Sequence, residues 1–389
     1  MGTVIHATLL VSDGRAVRDG WARFEDGRVT ATGDGDGWRA ATQTGDEVLD
    51  ARDAAGEGAV LTPGLIDLHG HGGGGASYDG GLEAVRTARA LHRAHGTTRA
   101  VLSLVTAPLD ELEEHVTAIG RLSLREDDVL GSHLEGPFLD PGHHGAHDPR
   151  LLRRPEESDV ARLLDAGMID GVQTIRQVTI APELPGAVDA IRRVVASGAI
   201  AAIGHTDADA TATRQAIDAG ATLLTHAFNA MPGIHHRRPG PVPVSAGDDR
   251  MTLELIADGV HVDDDVMRML FRSAPGRVAL VTDAMAATGM PDGDYALGPL
   301  DVVVAGGAAT VRGTGTIAGS TLTQDAALRR IVGLGVPLPE ALGALTAAPA
   351  RAIGRADELG TLRAGAVADA VLWTGGLDVA RVWTAGTAR

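Results

Sequence analysis

Between residues 61 and 281 the chain repeats one phrase: a short run of consecutive apolar residues, then a longer stretch in which apolar residues recur every three or four positions. Eight such runs stand out: Leu61–Leu68, Thr98–Val105, Val129–Leu134, Gln173–Ile180, Ala199–Ile203, Ala221–Leu224, Met251–Ala257 and Arg277–Val281. Strands covered on both faces read as continuous apolar runs, and strands joined through helices pair in parallel. The expected class is therefore α/β, a (β/α)8 barrel of the TIM type with its active site at the carboxyl ends of the strands.

The two ends have a different rhythm. Residues 1–60 alternate short β-like runs with turn pairs, as where Asp26-Gly27 separates Ala22-Arg23-Phe24-Glu25 from Arg28-Val29, a hairpin signature. Leu359-Gly360-Thr361-Leu362 and Ala370-Val371-Leu372-Trp373 repeat that texture after a helical stretch ending near Arg355. Both ends are expected to build one small β-sandwich domain, residues 1–60 with 356–389, in addition to a catalytic barrel over 61–355. A chain of 389 residues suits one large and one small domain.

What stands at the strand ends turns this fold prediction into a chemical one. The first run ends in Asp67-Leu68-His69-Gly70-His71, the third in His133-Leu134-Glu135, the fifth in Gly204-His205, the sixth in Thr225-His226, the seventh in Asp258-Gly259-Val260-His261 and the eighth in Thr282-Asp283. Histidines scattered over a surface would not keep that register. His69 and His71, two apart on an extended strand end, point the same way and can hold one cation. Glu135 can place one carboxylate oxygen on each of two cations, with His205 and His226 completing the second position and Asp283 beside the first. A cation there lowers the pKa of the water it holds to about 7, and Asp283 is placed to accept that proton and return it to a leaving amine. The ligand types suit zinc first and also accept iron, cobalt or manganese, one or two per subunit.

Composition removes the competitors. The formal charge of −17 argues against nucleic acid and against an anionic membrane as partners, since both need a basic footprint. The chain has no cysteine, which excludes disulfides, thiolate zinc sites and thiol nucleophiles. It also has no lysine, which excludes the Walker phosphate loop, Schiff-base chemistry and the carbamylated lysine that bridges two metals in some hydrolases. No run reaches the about 18 apolar residues that span a bilayer, and MGTVIHATLLVSDGR lacks the basic and apolar regions of a signal peptide. A cytoplasmic enzyme is the expectation. In an acidic chain, His235-His236-Arg237-Arg238-Pro239-Gly240 is a basic cluster that can serve an anion or simply be a solvated loop. Gly72–Gly75 could cradle an anion or be a flexible loop.

These residues resemble the N-acetylglucosamine-6-phosphate deacetylases, a branch of the amidohydrolase superfamily, over nearly the whole chain. The resemblance is carried by Pro63-Gly64-Leu65-Ile66-Asp67-Leu68-His69-Gly70-His71-Gly72, His133-Leu134-Glu135-Gly136-Pro137-Phe138, Gly145-Ala146-His147-Asp148 and Thr225-His226-Ala227-Phe228-Asn229-Ala230-Met231-Pro232. Ile256-Ala257-Asp258-Gly259-Val260-His261, Leu280-Val281-Thr282-Asp283-Ala284 and Ala318-Gly319-Ser320 continue it. The first motif is shared by many amidohydrolases, whereas His-Leu-Glu-Gly-Pro and His-x-x-Asn-Ala-Met-Pro belong to this branch.

The resemblance implies hydrolysis of N-acetyl-D-glucosamine 6-phosphate to glucosamine 6-phosphate and acetate. It implies Glu135, His205 and His226 in the metal shell, Asp283 as catalytic base and His147 as the group that helps to polarise the acetyl carbonyl. It further implies contacts to the sugar phosphate from Asn229, Ala230, His261 and the Ala318 segment, and a homodimer in which Arg237 reaches the neighbouring active site. Some relatives carry Gln-x-Asn in place of His69-x-His71 and work with one metal, and many carry Glu at the position of Arg238. His143 and His144 take no role from the resemblance, and surface exposure is expected for them. The alternatives are another amidohydrolase, acting on a different N-acyl sugar or a cyclic amide, and a non-catalytic scaffold of the same fold.

Overall fold

A computed structural model describes residues 2–389. By its contacts the chain divides into two units, one formed by Met1–Asp67, His92–Arg99 and Gln324–Arg389, the other by Leu68–Leu91 and Ala100–Thr323.

In the first unit both ends of the chain meet in one sheet. Its strands run in the order Thr387–Ala388, Val379–Thr384, Ala370–Trp373, Val60–Pro63, Thr3–Ser12, Arg15–Glu25 and Arg28–Asp34, with Glu47–Asp50 also paired to Thr3–Ser12. The expected hairpin is present: Asp26 and Gly27 hold φ of 50° and 75°, the pair of positive values that a two-residue turn needs to match the strand twist. Ile5, Phe24, Leu61, Leu372 and Trp383 form the core of this sheet, drawn from both termini. The same unit holds an ion pair, Arg99 Nε to Asp369 Oδ2 at 2.5 Å and Nη2 to Oδ1 at 3.0 Å, with both side chains buried.

The second sheet has eight parallel strands, ordered Val278–Val281, Thr252–Ile256, Leu223–Leu224, Ile200–Ile203, Ile175–Ile180, Val129–Glu135, Thr97–Leu104 and Leu65–Asp67. Each of the eight apolar runs contributes one strand. The first run, however, is two strands rather than one. Val60–Pro63 joins the terminal sheet and only Leu65–Asp67 joins the barrel. The break falls at Gly64, where a Cβ would lie 2.2 Å from the hydroxyl of Thr98, so the Thr98 side chain occupies the space any side chain there would need. Past the strands, Asp283 N to His69 O at 2.8 Å and His71 N to Ala284 O at 2.7 Å tie the segment after the first strand to that after the eighth.

Helices with one apolar face follow the strands. In Asp264–Ser273, Met267, Leu270 and Phe271 are buried at helical spacing, and Asp263 caps the first turn by accepting from Asp265 N at 2.9 Å, a contact worth roughly 1 kcal/mol. One element lies outside the repeating pattern. Gly293–Leu297, Leu300–Ala305 and Ala308–Val311 form a three-stranded antiparallel sheet after the eighth strand. It packs Leu297, Val302, Val304 and Ala309 on Val105, Met285 and Ala318.

Candidate active site

The barrel strands are apolar over most of their length, but several carry polar side chains near the carboxyl end that bond to one another. His133 bonds through Nδ1 to Ser103 Oγ at 2.9 Å and through Nε2 to Thr179 Oγ1 at 2.8 Å, and Thr179 reaches Thr225 Oγ1 at 2.9 Å. All four are buried, so the network satisfies polar groups that would otherwise be costly to enclose. Burial, with the positive neighbour His69 adding to it, pushes His133 well below the usual imidazole range.

Above this layer six of the predicted residues converge. Glu135 Oε1 lies 3.1 Å from His205 Nε2 and 3.0 Å from His226 Nε2, and those two nitrogens are themselves 3.0 Å apart. Glu135 Oε2 lies 3.0 Å from His71 Nε2 and 3.3 Å from His69 Nε2. Asp283 Oδ1 stands 3.2 Å from His71 Nε2 and 3.6 Å from His69 Nε2. One carboxylate thus faces two pairs of imidazoles, one pair on each oxygen. His69, His71, Glu135 and Asp283 form one group whose ligand atoms all lie within 4.8 Å of one another, and Glu135, His147 and His205 form a second. Facing imidazole nitrogens around a shared carboxylate are the donor set of a divalent-cation site, so the residues present fit such a group.

The backbone is bent to achieve this. His205, His226, Phe228, Ala230 and Asp283 all hold positive φ, at 47°, 26°, 78°, 48° and 50°, a conformation costing about 1–3 kcal/mol each for residues with a Cβ. These turns come directly after the fifth, sixth and eighth strands, where the chain must leave the barrel while its side chains stay over the mouth.

Burial and charge then set the protonation. Burial alone would lower His69 and His71, but the carboxylates of Glu135 and Asp283 outweigh it, holding His69 well above the ordinary value and His71 at about 9. Against the same burial, the charge of His69 and hydrogen bonds from the surrounding imidazoles keep Glu135 well below the carboxylate range. His69 and His71 likewise hold Asp283 at about 2. His147 goes the other way. Burial and the positive field of His205 depress it to about 3, so it is neutral. The backbone N–H of Thr106 donates to its Nδ1 at 3.2 Å. An amide N–H can only donate, so Nδ1 is the acceptor and the ring proton sits on Nε2.

Around this cluster opens a cavity of ≈ 340 Å³. Asn229, Ala230 and His261 line it with His71, Glu135, His147, His205, His226 and Asp283. His261 is buried, which would lower it, but Asp258 at 2.7 Å from its Nδ1 raises it above the ordinary value. His143 also lines the cavity, half-buried, and its carbonyl accepts from His205 Nδ1 at 2.9 Å; the short helical turn Pro141–His143 turns it inward, contrary to the expected surface exposure. His144 is half-buried as well, with Nδ1 3.0 Å from the carbonyl of His147. Arg237 and Arg238 are exposed and outside the lining. Ala318 is fully buried against the three-stranded sheet, while its neighbours Ile317 and Gly319 line the cavity. Gly72 and Gly73 pair with Ala76 and Ser77 in a small hairpin away from the lining.

The sequence profile of the amidohydrolase family matches residues 60–389. The chain belongs to the amidohydrolase family. Among curated relatives, N-acetylgalactosamine-6-phosphate deacetylase from Escherichia coli O157:H7 is 40% identical over 332 residues, covering 84% of this chain and 87% of that protein. N-acetylglucosamine-6-phosphate deacetylase from Homo sapiens is 36% identical over 342 residues, covering 85% and 83%. Among solved structures, a mutant N-acetyl-D-glucosamine-6-phosphate deacetylase from Mycobacterium smegmatis in complex with N-acetyl-D-glucosamine-6-phosphate is 42% identical. Its TM-score is 0.91, over 100% of this chain and 99% of that one.

As an amidohydrolase the protein is a metal-dependent hydrolase, and several groups around its site were not singled out in advance. Glu254 is fully buried between His69 and Gln177, and a lone carboxylate inside Thr252-Leu253-Glu254-Leu255-Ile256 was the signal. Thr106 carries no such signal, since a threonine after a strand is ordinary. Leu297, Thr316 and Ile317 come from the extra sheet and the loop after it, whose place at the cavity depends on the fold.

Proposed function

We propose that this amidohydrolase removes the acetyl group of N-acetyl-D-glucosamine 6-phosphate by hydrolysis, releasing D-glucosamine 6-phosphate and acetate. The observation that carries the reading is the 42% identity, over the full length of both chains, to a deacetylase solved with that sugar phosphate. The Glu135-centred cluster agrees with it, because amide hydrolysis needs an activated water and a polarised carbonyl at one point.

Glu135, His69 and His71 would hold one divalent cation with Asp283 beside it, and Glu135, His205 and His226 would hold a second; zinc is the first choice. A cation in this cluster supplies Lewis acidity and brings the pKa of water near 7. Asp283, ionised at neutral pH, takes the proton of the attacking water and passes it to the amine as the C–N bond breaks. His147, neutral with its proton on Nε2, donates to the acetyl oxygen as charge builds there. Asn229 and Ala230 position the sugar, with the Ala318 segment at the rim, and His261, whose pKa Asp258 raises against its burial, meets the ring or its phosphate. Arg237, exposed on its own subunit, completes the phosphate site of a neighbouring subunit in a homodimer. A sugar phosphate does not cross a bilayer unaided, which points to a cytoplasmic enzyme.

The Escherichia coli relative supports a second substrate, the C4 epimer N-acetylgalactosamine 6-phosphate. Acetate release from both epimers and from unphosphorylated N-acetylglucosamine, before and after chelator treatment, tests the whole. Chelator-sensitive release from the glucosamine phosphate ahead of the other two is expected. Preference for the galactosamine phosphate would transfer the assignment to that epimer, and release from neither phosphate would overturn it.

A further inference from the structure

Glu254 is fully buried in the middle of the seventh strand, at 0% exposure, and is absent from every metal-ligand set considered above. Its Oε2 lies 3.1 Å from His69 Nδ1 and accepts from the backbone N–H of His226 at 3.2 Å, and its Oε1 accepts from Gln177 Nε2 at 3.3 Å. One carboxylate oxygen therefore bonds to one histidine from each half of the Glu135 cluster.

The two bonds do different work. A carboxylate on Nδ1 keeps one proton of His69 there, so that the proton a cation displaces is the one on Nε2, the nitrogen that faces Glu135 and Asp283. His71 has no such partner: its Nδ1 is buried with no hydrogen bond among the described residues. On the His226 side the bond is to the main chain, at a residue with φ of 26°, so Glu254 also secures the strained turn that aims that imidazole.

Resting on the two-cation reading above, we propose that Glu254 is a positioning residue that presents His69 Nε2 to the cation on the His69–His71 side, and so decides whether that position fills beside the His205–His226 one.

Zinc titration of the metal-stripped protein tests this, with zinc per subunit and the dissociation constant of each step as readouts. Glu254→Gln keeps the shape, and the amide of Gln177, whose Oε1 has no hydrogen-bond partner among the described residues, can turn over to bond with it. The expected result is a weaker second zinc, by about 10–100-fold, with the first step and the unfolding midpoint of the stripped protein unchanged. In a His69→Ala background the same Glu254→Gln change should have no effect on zinc affinity, because the charge no longer acts on the His69 imidazole and the glutamine oxygen still accepts from the His226 N–H. Two unchanged zinc constants in Glu254→Gln, or an equal loss at both steps, would overturn the proposal while leaving the metal site standing. A wild-type chain that takes up no zinc, iron, cobalt or manganese would overturn both together.

Discussion

Two of the places where the molecule buries charge do so in different manners. In the first unit Arg99 and Asp369 form a buried pair, cation to anion, with two hydrogen bonds between them. At the barrel mouth Glu135, Asp283 and Glu254 are shared among His69, His71, His205 and His226, and the imidazoles face one another across distances as short as 3.0 Å. Arginine has donors only and stays charged, so a buried arginine is closed once its carboxylate is in place. Histidine keeps a lone pair that can be turned toward a third party. The first arrangement is complete within the chain, whereas the second has the donor set of a divalent-cation site.

The largest effect is expected at the open site. With Asp283 as the proposed proton acceptor, kcat of Asp283→Asn for acetate release should fall by about 10²–10⁴-fold while the chain stays folded. Near-normal turnover would show that another group accepts the proton. The closed pair should answer in stability instead. Arg99→Ala leaves Asp369 buried and unpaired, and denaturant unfolding should show a loss of about 3–5 kcal/mol. Replacing both partners by apolar residues of similar volume should recover most of that loss. If the double replacement is as unstable as the single one, the pair does more than satisfy its own charges.

Arg237 is a third case, an exposed cation proposed to meet a phosphate. Arg237→Ala should raise KM for the phosphorylated sugar by about 10–100-fold, the worth of a hydrogen bond to a charged group, with kcat and the unphosphorylated substrate little affected. Full retention of affinity would remove Arg237 from the phosphate site. The smallest signal is a proton count. In the metal-free chain Glu135 and Asp283 keep His69 protonated well above the ordinary range and His71 up to about 9. A cation accepts only neutral imidazole, so zinc binding at pH 7.5 should release protons into a weakly buffered solution. Zinc affinity should rise as pH climbs toward about 9 and weaken as pH falls. Zinc uptake without proton release would mean that His69 and His71 are not its ligands.

Much of this was present in the linear chain. Eight apolar runs predicted eight strands, and the register of His69, His71, Glu135, His205, His226, His261 and Asp283 at their ends predicted that they would stand on one face of the barrel. Both inferences rest on local rules, since strand burial shows as continuous apolar sequence and a parallel barrel exposes every strand's carboxyl end on one side. The Asp26-Gly27 turn was legible for the same reason, as its residues carry their own backbone preference. Tertiary structure alone decided the rest. Pro63-Gly64 divides one apolar run between two sheets, and Gly64 lies against the side chain of Thr98, a contact between residues distant in sequence. His143 looked like surface and faces the cavity, while the backbone of Thr106 determines which nitrogen of His147 carries the proton. Glu254 acts through an oxygen placed between His69 and His226, 185 and 28 residues away along the chain. Residue type and spacing determine which side chains can do this chemistry; hydrogen-bond direction and shared partners exist only once the barrel has closed around them.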